Sequence, residues 1–251
     1  YEGCINYLKC FGLVKNKTQF MREFAQVNTY KGYPEIEYWK NEKKILSMLN
    51  SISRPLKKTD ILELPEQTFK SVNFKPSKDY NIIKKDRALN GEVFDNQMSY
   101  MHGLRQNTSL EAKVSWLVDF LDGTNENVII FTNYNKEVEL INDSIKNKDI
   151  YTCVGSEKNL PKTSDINNTV TIVNYTAGSE GIELVYGTIC IFFSPTYSYI
   201  QYTQAISRIH RIGQNKKTLY YKLVTRNTIE DDIYKALENK QDFNYKIWEE
   251  K

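Results

Sequence analysis

The chain has 251 residues, with 34 Lys and Arg against 31 Asp and Glu and a formal net charge of +3, a balance that points to no partner without a local patch. With 40% hydrophobic and 13% aromatic residues it carries enough apolar surface for a core, which excludes long disorder. No run approaches the roughly 20 apolar residues of a membrane-spanning helix, and YEGCINYLKC lacks the basic-then-apolar layout of a secretion signal; without an initial Met, a fragment is expected.

In chain order, the first 110 residues are Lys- and Asn-rich, with helical stretches broken by turns. Ile36, Trp39, Ile45, Met48, Leu49 and Ile52 approximate helical spacing, so 35–52 is expected to be one amphipathic helix. Pro55 and Pro65 then break any long helix. TFKSVNF (68–74) alternates as a strand, and Ser77 is placed to cap a short helix at KDYNIIKK.

From residue 111 the pattern becomes regular. Val114, Leu117, Val118 and Leu121 lie on one helical face, and Asp122 with Gly123 makes a turn. VIIFT (128–132) reads as a strand buried on both faces. Helix is expected over 136–145, 199–209 and 228–239, and strand over 150–154, 169–173, 188–193 and 219–224. Thr228 and Asp231 have the spacing of a capping box. Alternating strands and helices predict an α/β fold, with a mainly parallel sheet.

Cys4, Cys10, Cys153 and Cys190 stand far apart, and His102 and His210 add no metal-binding motif. A reducing compartment is expected, cytoplasmic or nucleoid-associated (host cytoplasm for a viral chain), with no structural zinc, no disulfide framework and no secretion. Cys190, inside TICIFF, reads as a buried free thiol.

Two segments carry chemistry. NYTAGSEGIEL (174–184) follows a predicted strand and is read as a loop leading into a helix, with Gly178 and Gly181 three apart. Glycines allow close backbone approach, and amides at a helix start can hold a phosphate oxygen. A simple tight turn accounts for it as well. In QYTQAISRIHRIGQ (201–214), Arg208 and Arg211 are three apart on a predicted helix and so share a face. Two adjacent guanidiniums call for an anion opposite, and a polyphosphate suits their planar forks. On spacing alone a solvated basic helix end, terminated by Gly213, is the better account. Local charge shifts the balance: residues 184–229 contain no Asp or Glu, yet carry Arg208, Arg211, Lys216, Lys217, Lys222 and Arg226. No G-x-x-x-x-G-K-[ST] phosphate loop occurs in the chain.

TAGSEGIEL, FFSPTYSYIQYTQAISRIHRIGQ and LVTRNTIEDDIYKAL resemble the C-terminal lobe of the SWI/SNF-type superfamily-two ATPases. The first is similar to motif V and QAISRIHRIGQ to motif VI, whose R-x-H-R-I-G-Q ending separates the family from the DEAD-box RNA helicases. Lys113 with VSWLVDFL, then NVIIFTNY, resembles the helix and strand of motif IV. LRQ at 104–106, the stretch 54–65 and YLKCFGLV near the start are similar to further family landmarks. The resemblance spans nearly the whole chain and is densest from 170 to 240.

It implies a RecA-like lobe with helices on both faces of the sheet and a mainly helical N-terminal connecting segment. Residues 1–70 would be the end of a first lobe and the connection, 71–110 the strand and helices leading in, and 111–251 the second lobe. In the family two such lobes close on ATP and move along double-stranded DNA. The first lobe holds the nucleotide-binding loop and an Asp-Glu pair for magnesium, so this chain by itself is expected to be inactive. By resemblance Arg208 and Arg211 are arginine fingers on the γ-phosphate, and Gln204, Gly181 and Glu183 line the same cleft. Thr176, Ala177 and Gly178, with Gly155 and Ser156, would face the DNA backbone. The family has Asn where Glu183 stands, and only 13 residues (157–169) separate the VGS loop from the strand before motif V. That brevity suggests a minimal viral or mobile-element member. The rival readings are an RNA helicase lobe, a non-catalytic binding module on the same fold, and a motor subunit of a restriction or modification complex. On the first reading both arginines point to the carboxyl edge of the sheet, where open α/β sheets bind ligands. At least one should be partly exposed, with no buried carboxylate partner.

Overall fold

The computed structural model describes residues 1–28, 35–53, 63–155, 157–162, 165–177 and 181–243. These fall into two compact units, Tyr1–Glu63 and Leu64–Lys251. Most of the landmark stretch 54–65, together with Ser156 and Gly178, lies outside the described residues.

In the first unit, helices α1 (Ile5–Cys10) and α2 (Lys17–Phe24) precede antiparallel strands β1 (Ala25–Asn28) and β2 (Glu35–Trp39) and helix α3 (Glu42–Ile52). Asn16 Oδ1 caps α2 by accepting from the Gln19 N–H at 2.8 Å. Leu8, Phe20, Phe24 and Ile45 form the core. The single helix expected over 35–52 is not formed. Residues 35–39 pair with 25–28 instead, as charged and apolar residues alternate in EIEYW. Asn41, at φ 52°, turns the chain before the helix begins.

The second unit begins with β3 (Gln67–Phe74) and α4 (Lys78–Asp86), which the Ser77 hydroxyl caps as expected by accepting from the Tyr80 N–H at 2.9 Å. A short hairpin, β4 (Ala88–Leu89) and β5 (Glu92–Val93), leads to α5 (Gln97–Gln106) and α6 (Leu110–Asp122). Then come β6 (Val128–Thr132), α7 (Asn135–Ser144), β7 (Asp149–Val154), β8 (Glu157–Asn159) and β9 (Thr169–Asn174). The chain continues through β10 (Ile189–Phe192), α8 (Tyr199–Ile209), β11 (Thr218–Thr225) and α9 (Ile229–Glu238). The strand order is β3-β11-β10-β6-β9-β7-β8, parallel throughout except for β8 against β7.

Period-two burial makes this a layered α/β fold. Val128 and Ile130 of β6 face a core with Leu117 and Leu121 of α6 and Ile141 of α7. Ile129 and Phe131 face the opposite core, with Ala205 and Ile209 of α8. Helices therefore cover both faces, as the strand-helix alternation predicts. Cys190 is buried on the α8 face, as read from its apolar run. Thr228 caps α9 by accepting from the Glu230 N–H at 3.2 Å, but Asp231 does not complete the expected box. Its carboxylate accepts from the Asn227 N–H at 3.1 Å and pairs with Arg226, one residue earlier than the spacing implied.

The connection from β9 to β10 decides where the site lies. A helix was expected to start in 174–184, yet residues 181–187 are non-helical. They must return the chain from the carboxyl edge of β9 to the amino edge of β10. A helix rises only about 1.5 Å per residue, too little for that span, whereas an extended segment gains about 3.3 Å. Ile182 and Leu184 pin this strap to the α8-side core. Gly187 lets it cross β6 closely, since a Cβ there would lie 2.4 Å from Ile129 Cγ1.

Candidate functional site

Two groups of candidate residues lie at opposite edges of the sheet. The carboxyl edge holds Thr176, Ala177 and Gly155. Thr176 is exposed just beyond β9, and its N–H and hydroxyl both donate to Asn174 Oδ1, at 3.0 and 2.7 Å. Ala177 is buried, which leaves its backbone rather than its side chain as a possible ligand contact. Gly155 follows the neighbouring parallel strand β7 at φ 53°, exposed and with open space where a Cβ would be. Adjacent strands stand about 4.8 Å apart, so Gly155 and Thr176 emerge side by side.

The arginines are not at this edge. Helix α8 leaves the carboxyl end of β10 and runs back along the sheet for 11 residues, about 16 Å, which delivers its last turn to the amino edge. There the Arg208 carbonyl accepts from the Leu184 N–H at 3.3 Å, ahead of β10. His210 Nε2 lies 2.8 Å from the carbonyl of Pro65, ahead of β3. Gln214 Nε2 donates to the carbonyls of Val185 and Gly187 at 3.0 and 2.9 Å. The expectation that the arginines point to the carboxyl edge is thus corrected, for a reason of direction: a helix that follows a parallel strand ends where the strand began.

Nor do Arg208 and Arg211 share a helical face. The helix stops at Ile209, His210 departs from helical geometry with ψ 83°, and Arg211 lies in the following turn. Its guanidinium is 3.5 Å from Glu183 Oε1. Gln204 is exposed on α8, four residues before Arg208 and so on the same face. Gly181, at φ 68°, occupies a conformation that favours glycine. The structure thus gathers Arg208, Arg211 and Glu183 near one edge and Thr176, Ala177 and Gly155 at the other.

Sequence reasoning assigned no role to a buried polar network beneath the carboxyl edge. Lys113 Nζ pairs with Glu230 Oε1 at 2.5 Å and donates to the Phe193 carbonyl at 3.0 Å, with both side chains only 2% exposed. Arg105 stacks 4.0 Å from the Tyr197 ring centroid and donates to the Pro195 carbonyl. Glu137 Oε2 accepts from the Ser194 hydroxyl at 2.8 Å and from the Asn133 and Tyr134 N–H groups at 3.0 and 3.2 Å. Burial pushes the Glu137 carboxyl above the usual carboxylate range, and those hydrogen bonds partly offset the shift. Burial likewise raises the Tyr134 phenol to about 12. One signal was available: Lys113, Leu117 and Leu121 share the helical stripe that is buried. A lysine on an apolar stripe needs a buried partner.

Residues 112–213 match the family described as helicase conserved C-terminal domain. That stretch is similar to the C-terminal lobe of SWI/SNF-type superfamily-two helicases. The fold of the chain is similar to the crystal structure of the C-terminal part of the Fun30 ATPase domain, with a TM-score of 0.54 and 15% identity. That likeness covers 74% of this chain and 93% of the other. Among relatives, an ATP-dependent helicase of Mycoplasma genitalium is 26% identical over 174 residues, 64% of this chain. A putative helicase of Invertebrate iridescent virus 6 is 27% identical over 124 residues, 46% of this chain. The chromatin remodeling factor mit1 of Schizosaccharomyces pombe is 24% identical over 162 residues, 59% of this chain. The matched segments span only 16%, 20% and 11% of these relatives' lengths. Among the described residues, no helix is long and apolar enough to cross a membrane.

Proposed function

We propose that the lobe is the second motor lobe of an ATP-dependent translocase on double-stranded DNA. Arg208 and Arg211 meet the γ-phosphate of ATP held mainly by a preceding lobe, with Gln204, Gly181 and Glu183 lining the same cleft. Fixed guanidinium charge there stabilises charge that develops on the transferred phosphoryl group. Magnesium, bound by the preceding lobe, would neutralise phosphate charge. Thr176 and the backbone of Ala177, Gly178, Gly155 and Ser156 contact the DNA backbone at the opposite edge, positioning the duplex without reading its sequence. Residues 1–63 then form the end of the preceding lobe and the connection; the expected boundary at 70/71 falls inside β3, which pairs with β11, so 64–110 belong to this lobe.

The observation that carries the reading is the place of Glu183 and Leu184. They meet Arg211 and Arg208 at one edge, through the Glu183 carboxylate and the Leu184 N–H, while Thr176, eight positions before Leu184 in the chain, stands just beyond β9 at the other. A displacement imposed by DNA at one end therefore has a covalent route to the nucleotide end. The test uses the full-length protein. Duplex binding should weaken steeply with salt and vary little with sequence. Thr176→Val removes the hydroxyl and should lower the DNA-stimulated rate and raise the DNA concentration needed for half-stimulation. Unchanged DNA stimulation in Thr176→Val would remove the interface from this edge.

A further inference from the structure

A second route leads from Thr176 to the start of α8, and the side chains between them make neither the proposed ATP contacts nor the proposed DNA contacts. Thr176 donates twice to Asn174 Oδ1. Asn174 Nδ2 donates to the Asn133 carbonyl at 3.0 Å. Asn133 Nδ2 in turn reaches the Pro195 carbonyl at 2.8 Å, Ser194 Oγ at 2.9 Å and the Ser194 carbonyl at 3.2 Å. Asn133 thus faces the Thr176 side with its backbone and the β10–α8 turn with its amide.

That turn is held in a particular way. Lys113 donates to the Phe193 carbonyl, Arg105 to the Pro195 carbonyl, and the Tyr175 hydroxyl to the Ser194 carbonyl. Burying two cations is costly, and apolar packing would hold a loop more cheaply. What the donors supply is direction: three consecutive carbonyls, at 193, 194 and 195, are fixed just ahead of the first residue of α8, Tyr199. The helix then acts as a lever. A tilt of about 5° at its start moves its far end by roughly 1.4 Å over a length of about 16 Å. A misplacement of about 1 Å can cost on the order of 10²-fold in rate.

We propose that Asn133 is a positioning residue that couples occupation of the Thr176 site to the orientation of α8, and so to the placement of Arg208. The proposal rests on the function proposed above. The full-length protein should be compared with Asn133→Asp, which keeps the shape but removes both amide hydrogens, and with Thr176→Val. Asn133→Asp is expected to hydrolyse ATP at the unstimulated rate and to bind duplex DNA within about twofold of wild type, yet to lose at least about fivefold of the DNA stimulation. DNA-induced changes in amide exchange over 196–203 should disappear with it. In the double variant the two losses should not add, because both break one chain of contacts.

Full stimulation and an intact exchange response in Asn133→Asp would overturn the proposal, as would strictly additive losses. If Asn133→Asp proves unstable, Asn133→Ser replaces it, since its hydroxyl is too short to span both Ser194 and Pro195, and the same outcomes decide. Loss of stimulation in Thr176→Val alone discards the relay and keeps the DNA interface. Retention in both variants discards the interface itself.

Discussion

Arg211 and Glu183 meet at 3.5 Å from two different segments, with side chains 38% and 70% exposed. Glu183 is the residue immediately before the acid-free stretch 184–229, so the counter-charge missing from that stretch arrives from its border. An exposed pair of this kind contributes at most about 1 kcal/mol. It is therefore easily exchanged for a polyphosphate, which offers a guanidinium several oxygens in place of one carboxylate.

Glu183→Gln should leave stability within about 1 kcal/mol of wild type, measured by thermal unfolding. In the full-length protein, freeing Arg211 from a competing carboxylate should lower the KM for ATP by up to about fivefold, the equivalent of roughly 1 kcal/mol. A raised KM would instead assign Glu183 to the ribose hydroxyls, against the competition argued here.

Arg208→Ala and Arg211→Ala in the full-length protein should each lower DNA-stimulated turnover by on the order of 10³-fold or more. ATP binding, measured with a fluorescent analogue, should largely persist, because the preceding lobe holds most of the nucleotide. Lysine at either position should rescue poorly, since an ammonium on a flexible stem cannot reproduce the fork. Wild-type turnover in both alanine variants would return these arginines to the status of a solvated helix end.

The 251-residue chain alone should show no steady-state ATP hydrolysis, with or without DNA. Phosphoryl transfer needs a phosphate cradle and magnesium ligands, and the sequence holds no G-x-x-x-x-G-K-[ST]. Turnover by the purified chain above a heat-treated control would contradict a site split between two lobes.

How much of this was legible in the sequence depended on what each residue answers to. Strand 128–132 was readable because burial on both faces makes it one continuous apolar run, and the alternation of such strands with helices set the fold class. Residues 35–39 were misread because their apolar residues fit both the strand and the helix period over so short a run. Arg208 and Arg211 were paired by a helical spacing that fails because α8 stops at Ile209, and their edge was misassigned because a ligand-site rule for strand ends was applied to the far end of a helix. Local spacing could not show Asn133 meeting Ser194 or Lys113 meeting Glu230, as the partners lie 61 and 117 positions apart. Lys113 still betrayed itself, by standing in the stripe of Leu117 and Leu121.

That lysine supports the last prediction. The Lys113–Glu230 pair joins α6 to α9, and Glu230 also accepts from the Thr225 N–H at 2.8 Å and the Thr108 hydroxyl at 3.2 Å. Lys113→Met keeps the volume but strands a buried carboxylate, which should cost about 3–5 kcal/mol. Adding Glu230→Gln removes the stranded charge while leaving an oxygen for Thr225, so the double variant should recover most of the loss. Native-state hydrogen exchange of the β6 and β10 amides reads the second unit alone and avoids assuming that the two units unfold together. A Lys113→Met cost below about 1 kcal/mol, or a double variant no better than the single, would show that the ion pair is not what fastens α9 to the lobe.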